Sequence, residues 1–273
     1  MTARRLAHAV HGSGPDALVL LHGFLGSGRN LGLVARALAA RDRSRRFVTM
    51  DLAGHGESPP LPPGADLAAL GRDVLETAAS LGLAGPFALA GHSLGGRVAL
   101  AAALAAPGAV GEVVLIDVAP GPLAGRDPAA DVALQALLAA PADAADRASV
   151  RAGLVAAGVP AATAEWLLMN LARQGERYAW RIDRAALAAL RARTDGTDLW
   201  PAVEGTPGAA PARARVRVVR GARSGYVTAE DVRRLEAAGA PVQTIPGAGH
   251  WVHADRPAEL VDALLARPER QTR

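Results

Sequence analysis

The chain has 273 residues, 50% of them apolar and 21% charged, which is the composition of a packed globular unit and excludes a disordered chain. All 30 basic residues are Arg, the formal net charge is only +4 and Cys is absent, so disulfides, thiolate nucleophiles and Cys-ligated metal centres are ruled out. The two densest Arg clusters, 41–46 and 213–223, read as a helix end with its loop and as a strand edge, so no nucleic-acid partner is expected.

No apolar stretch approaches the eighteen residues of a membrane span. The N-terminal text, Met1-Thr2-Ala3-Arg4-Arg5-Leu6, breaks at His8, His11 and Gly12 and lacks the apolar run of a secretory signal, and a cytoplasmic location is expected.

In chain order, Ala17-Leu18-Val19-Leu20-Leu21 is a short apolar run between Gly-Pro and His-Gly, the pattern of a buried strand entering a tight turn. A helix follows over 31–40, then the strand Phe47-Val48-Thr49-Met50. Leu67, Leu70, Val74, Ala78 and Leu81 recur at helical spacing. Next come the strand Phe87-Ala88-Leu89-Ala90, a helix carrying Leu94, Val98, Ala101 and Ala105, and the strand Val113-Val114-Leu115-Ile116. Strands alternating with helices predict a mostly parallel sheet covered on both faces.

The alternation stops over 121–208, where the Ala-rich text reads as helical with no comparable strand. It resumes at Val216-Arg217-Val218-Val219, continues through a helix over 229–238 and the strand Val242-Gln243-Thr244-Ile245, and ends with a helix over 257–265. The expected organisation is an α/β core from 1–120 and 209–266, a helical lid from 121–208 whose exit 201–214 is a linker, and a frayed tail at 267–273.

Gly91-His92-Ser93-Leu94-Gly95 is a G-x-S-x-G pentapeptide at a strand-to-helix junction, the context that projects a serine hydroxyl from a sharp turn. A serine needs a positioned base, and His250, in the loop Gly247-Ala248-Gly249-His250-Trp251 after the last predicted strand, is the candidate, with His253 its rival. His22 and His55 sit in glycine turns and read as structural. The glycine-rich loop His22-Gly23-Phe24-Leu25-Gly26 offers backbone donors for an oxyanion, and the N–H groups of Phe24 and Leu94 are the chosen pair. No metal-ligand spacing, P-loop or dinucleotide motif is present, and neither metal nor cofactor is called for.

These motifs, together with Asp51-Leu52-Ala53-Gly54-His55-Gly56-Glu57-Ser58, occur in an order that resembles the α/β-hydrolase superfamily over nearly the whole chain. Leu115-Ile116-Asp117-Val118-Ala119-Pro120 and Arg220-Gly221-Ala222-Arg223-Ser224-Gly225-Tyr226-Val227 are similar to bacterial carboxylesterases and acyl-thioesterases of the abhydrolase-domain type. The resemblance implies a serine hydrolase that cleaves a small-molecule ester or thioester through an acyl-enzyme.

Many such hydrolases carry the triad acid just after the strand placed here at 216–219, but that loop has no carboxylate. Asp117, at the end of the preceding strand, is therefore the expected acid, as in the similar esterases, with a turn-capping role as its alternative and Glu230 and Asp231 as rivals. Trp166, Met169 and Trp251 are the expected pocket residues, although helical apolar positions such as Trp166, Leu168 and Met169 equally suit a core. Arg126, Arg220 and Arg223 read as solvated surface rather than as a coenzyme A phosphate site. Ser93 argues against epoxide hydrolases and haloalkane dehalogenases of this fold, which use Asp at the elbow. Lyases of menaquinone synthesis, C–C hydrolases, perhydrolases and a non-catalytic binding protein are the alternatives.

Overall fold

A computed structural model describes residues 4–83, 85–123, 125, 128–205 and 214–266. Its centre is a seven-stranded sheet made of β1 (His8–His11), β2 (Asp16–Leu21), β3 (Arg45–Met50), β4 (Phe87–His92), β5 (Val110–Ile116), β9 (Arg215–Gly221) and β10 (Val242–Ile245), in the order β1-β3-β2-β4-β5-β9-β10. Every pairing is parallel except β1 with β3. The edge strand β1 escapes the sequence reading because its four residues are half-exposed and carry two histidines, so no apolar run marks it.

The parallel strands are buried on both faces, and their alternate residues feed two cores. Leu18, Leu20, Phe47, Ala90, Val114, Ile116 and Val219 pack with α1 (Gly32–Arg41) and α11 (Pro257–Leu265). Val19, Leu21, Val48, Met50, Leu89, Val113, Leu115 and Val218 pack on the other side with α2 (Leu67–Ser80), α3 (Leu94–Ala105) and α9 (Ala229–Ala237). Each such Leu, Val or Phe contributes roughly 1.5–3 kcal/mol by leaving water. Helix α3 is buried along most of its length because Gly and Ala let its neighbours approach closely: a Cβ on Gly71 of α2 would lie 2.8 Å from the Ala102 nitrogen.

Between β5 and β9 lie α4 (Pro128–Ala139), α5 (Arg147–Ala156), α6 (Ala161–Leu167), α7 (Arg184–Thr194) and α8 (Trp200–Glu204), none of which enters the central sheet. This stretch is not purely helical. Strands β6 (Asp143–Ala144), β7 (Leu171–Gln174) and β8 (Arg177–Trp180) form a separate antiparallel sheet in the order β6-β8-β7. Its hairpin turns through Gly175 at φ +61°, where glycine carries no Cβ penalty. Leu-Ala-Arg-Gln in β7 are good helix formers, and cross-strand pairing overrides that weak preference. The expected linker also begins as helix α8, while 206–213 and the tail 267–273 lie outside the described residues. The last helical turn before α11 is α10 (Val252–Asp255). No helix among the described residues is long and apolar enough to cross a membrane.

Candidate active site

The parallel register brings three strand ends to one rim. His92 of β4 pairs with Ile116 of β5, and Ile116 pairs with Val219 of β9, so Ser93 and Asp117 each follow a strand end at the same level. Ser93 adopts φ +51° and ψ −115°, a strained conformation for a residue with a Cβ, held by its N–H donating to Ile116 O at 3.0 Å. The flanking glycines act through proximity rather than through their own dihedrals. A Cβ on Gly91 would lie 2.1 Å from the Gly95 carbonyl carbon, and one on Gly95 would lie 2.4 Å from Leu21 O. The elbow thus packs backbone to backbone against β2, and Leu94 opens α3 with an N–H that has no helical acceptor.

The loop after β2 is shaped by a buried histidine. His22 Nε2 accepts from the Leu52 N–H at 2.9 Å, so its proton sits on Nδ1, which donates to Gly23 O at 2.8 Å. Burial holds His22 neutral, with its pKa lowered to about 4. Gly23 O also accepts from the Gly26 N–H at 3.0 Å. Because the peptide is trans, this turns the Phe24 N–H the opposite way, and Phe24, Ser93 and Leu94 line one cavity. Leu25, at φ +59°, has its carbonyl anchored by Asn170 Nδ2 at 2.8 Å. His55 lies edge-on to His22 at 5.0 Å and is likewise kept neutral by burial, its pKa lowered to about 3.

His250 Nδ1 lies 2.8 Å from Asp117 Oδ2. Asp117 is fully buried, with φ +52° and its N–H donating to Val219 O at 2.8 Å. Its Oδ1 accepts from the Gly221 N–H at 2.9 Å, and its Oδ2 also accepts from Ser224 Oγ. The carboxylate therefore accepts a hydrogen bond from the His250 Nδ1–H, and in the neutral imidazole the lone pair is then on Nε2. Glu230 instead pairs with Arg233 on the surface, and Asp231 caps α9 through Thr228, so neither reaches His250. Backbone contact fixes the His250 loop: a Cβ on Gly221 would lie 2.2 Å from Gly249 O, and the Gly249 N–H donates to Asp255 Oδ2 at 2.6 Å.

The imidazole of His250 is held from two sides. Tyr226 stacks on it at 3.7 Å with 12° between the planes, and His92 lies at 4.6 Å. His92 Nε2 donates to the His250 carbonyl at 2.8 Å. Burial, reinforced by His250 and His253 nearby, pushes the His92 pKa well below its usual value. His253, the rival base, lies against His92 at 4.8 Å, and burial lowers its pKa to about 4. It has no hydrogen bond to Asp117; that place is taken by His250.

A cavity of about 260 Å³ opens over Ser93 and His250, lined by Phe24, Leu123, Ala133, Trp166, Leu190 and Trp251 among others. Trp166 and Trp251 meet with ring centres 5.6 Å apart. Met169, expected with them, is instead 43% exposed on the outside, because the short turn after α6 swings it away and buries Leu168 and Asn170. Arg223 is exposed beside Asp255 at 3.7 Å, and Arg220 donates to Val227 O at 3.1 Å. Arg126 lies outside the described residues.

Sequence reasoning missed four residues of this arrangement. Ser224 sits in a loop set aside for lacking a carboxylate, and His92 occupies the variable place of the elbow. Tyr226 lies in a stretch read only for its family resemblance and Asn170 carries no motif; their neighbours in space reveal what they contact.

The model of the alpha/beta hydrolase family matches residues 18–263. The chain is 32% identical over 262 residues to the sn-1-specific diacylglycerol lipase ABHD11 of Mus musculus, covering 92% of this chain and 80% of that protein. It is 27% identical over 260 residues to the esterase YbfF of Escherichia coli K12, covering 93% and 92% of the two chains. A solved marine microorganism esterase superposes with a TM-score of 0.84 at 25% identity, over 96% of this chain and 98% of its own. The chain belongs to the alpha/beta hydrolase family, as a hydrolase whose relatives include esterases and lipases.

Proposed function

We propose that this enzyme hydrolyses carboxylic esters, and chemically equivalent thioesters, through an acyl-enzyme on Ser93. His250 Nε2 takes the Ser93 Oγ proton as Oγ bonds to the carbonyl carbon. The oxygen that becomes negative is held by the Phe24 and Leu94 N–H groups. When the intermediate collapses, the bond to the leaving oxygen or sulfur breaks and His250 returns its proton to that atom. Water then attacks the acyl-enzyme by the same route, and carboxylic acid departs with Ser93 restored.

The observation that carries this reading is the 2.8 Å contact from His250 Nδ1 to the buried carboxylate of Asp117. With Nδ1 as the donor, the neutral ring carries its lone pair on Nε2, and Ser93, in its strained elbow, lines the same cavity as His250. In this reading residues 121–208 act as a lid, supported by the lining contributed by Leu123, Ala133, Trp166 and Leu190. Acylglycerols, named in the diacylglycerol lipase relative, belong in the substrate panel. A cytoplasmic location is part of the proposal and is tested by cell fractionation. The deciding experiment is labelling with a fluorophosphonate followed by peptide mass spectrometry. The adduct is expected on Ser93, and labelling elsewhere, or undiminished ester turnover by Ser93→Ala, overturns the mechanism.

A further inference from the structure

We infer that Trp166 and Trp251 form the leaving-group subsite, and that it selects aryl and arylalkyl alcohols. The inference rests on the acyl-enzyme reading above. In the tetrahedral intermediate one substituent is Ser93 Oγ, and a second, the oxyanion, lies at the Phe24 and Leu94 N–H groups. The third is the leaving oxygen, which must lie beside His250 Nε2 because that nitrogen protonates it. The acyl chain takes the remaining direction.

The surroundings of His250 are therefore the surroundings of the leaving group, and they are aromatic. Tyr226 lies flat on the imidazole at 3.7 Å. Trp251 follows His250 in the chain, and Trp166 reaches down from α6 to meet it at 5.6 Å with 38° between the planes. Thr163, one turn before Trp166, lines the same cavity. The oxyanion-loop wall is different in kind: Arg191 of α7 covers the Phe24 ring at 5.9 Å and is itself paired with Asp131 and Asp195. Among the described residues no cation lies over Trp166 or Trp251 as Arg191 lies over Phe24, and a flat alcohol gains there by offset or edge contacts.

The timing of the reaction provides the test, because the alcohol departs when the acyl-enzyme forms. A residue that touches only the leaving group affects acylation and not hydrolysis of the acyl-enzyme. The experiment compares wild type, Trp166→Ala and Trp166→Phe by stopped flow with 4-nitrophenyl butanoate, and by steady-state turnover of phenyl and ethyl butanoate. Trp166→Ala is expected to slow the acylation burst about tenfold. The later steady rate, which reports hydrolysis of the shared butanoyl-enzyme, should move less than about twofold. The loss in kcat/KM should be several times larger for the phenyl than for the ethyl ester, with Trp166→Phe keeping most of the wild-type preference.

Equal losses for both esters, or a slowed butanoyl-enzyme hydrolysis, overturn the assignment and place Trp166 on the acyl chain. Absence of any acyl-enzyme in the wild type overturns the underlying mechanism as well, so the two failures are distinguishable.

Discussion

His92 Nε2 donates to the backbone carbonyl of His250 at 2.8 Å, so the residue that precedes Ser93 braces the loop that carries His250. The same ring fills the space above Gly23, where an added Cβ would lie 2.7 Å from His92 Nδ1. One neutral imidazole thus spaces the Ser93 turn, the His250 loop and the Phe24 loop. His92→Phe keeps the ring but removes the donor. A fall in kcat of about tenfold, with a near-native melting temperature, is the expected result. Unchanged kcat in the folded variant would show that the bond positions nothing.

The acid is tested by comparing carboxylates. Asp117→Asn should lower kcat on the order of 10⁴-fold, the size of loss known for a serine-protease triad in which the wrong histidine tautomer is held. Ser224→Ala removes one donor to the same carboxylate and should cost far less, about tenfold. Glu230→Gln should be silent. Asp231→Asn is different from what sequence position alone suggests: Asp231 is buried and accepts from the Thr228 N–H at 2.9 Å, so stability should fall by about 1 kcal/mol with activity retained. Parallel kinetics and thermal melts separate these outcomes.

Buried neutral histidines make the fold acid-sensitive. His22 and His253 have pKa values lowered to about 4 and His55 to about 3, with His92 also well below its usual value, all chiefly through burial. The unfolded chain, with histidine near 6.5, then binds more protons than the folded one. This stability is fully present above about pH 6.5 and is lost as pH falls toward 4. Each excess proton contributes a slope of about 1.4 kcal/mol per pH unit. Urea midpoints measured at pH 7.5, 6 and 5 should fall steeply over the last two points. A flat series would refute the assignment of these rings as neutral in the fold.

The second sheet shows where the sequence was legible and where it was not. The central strands announce themselves because both faces are buried, so β2, β4 and β5 each contain a short apolar run, and the elbow is marked by glycines that backbone contact demands. Strands β7 and β8 are four residues each and partly exposed, too short for a period to be read. Asp117 was accessible through its place at a strand end. Ser224, Tyr226 and Asn170 were not, since each acts through a partner far away in the chain: Asn170 meets Leu25 across 145 positions.

That Asn170 contact yields a prediction about the lid. The buried Nδ2 group anchors the Leu25 carbonyl at a left-handed residue directly after Phe24, so the insert holds the Phe24 loop in shape. Asn170→Asp places an acceptor against that carbonyl. A loss of at least about tenfold in kcat, with KM changed much less, is expected, and Asn170→Ala should be milder. If KM alone rises, the residue shapes substrate binding and not the oxyanion loop.

Arg97 ties the insert to the nucleophile helix from below. One turn after Ser93, its guanidinium is 1% exposed and donates to Gly121 O at 2.6 Å, Thr194 O at 3.0 Å and Thr197 O at 2.7 Å. These carbonyls belong to the beginning of the insert, the last residue of α7 and the turn after it, so a single planar fork closes these segments onto α3. Arg97→Met fills much of the same volume but leaves three carbonyls without this donor, at about 1 kcal/mol or more each. A loss of about 3 kcal/mol in urea unfolding is expected. Arg97→Lys should fall in between, because an ammonium cannot span all three acceptors. Limited proteolysis gives an independent readout: cleavage in the Arg97→Met protein should begin within residues 121–205 while the central sheet stays intact. If the core is cut first, or if Arg97→Lys equals wild type, the fork does not hold the insert to α3.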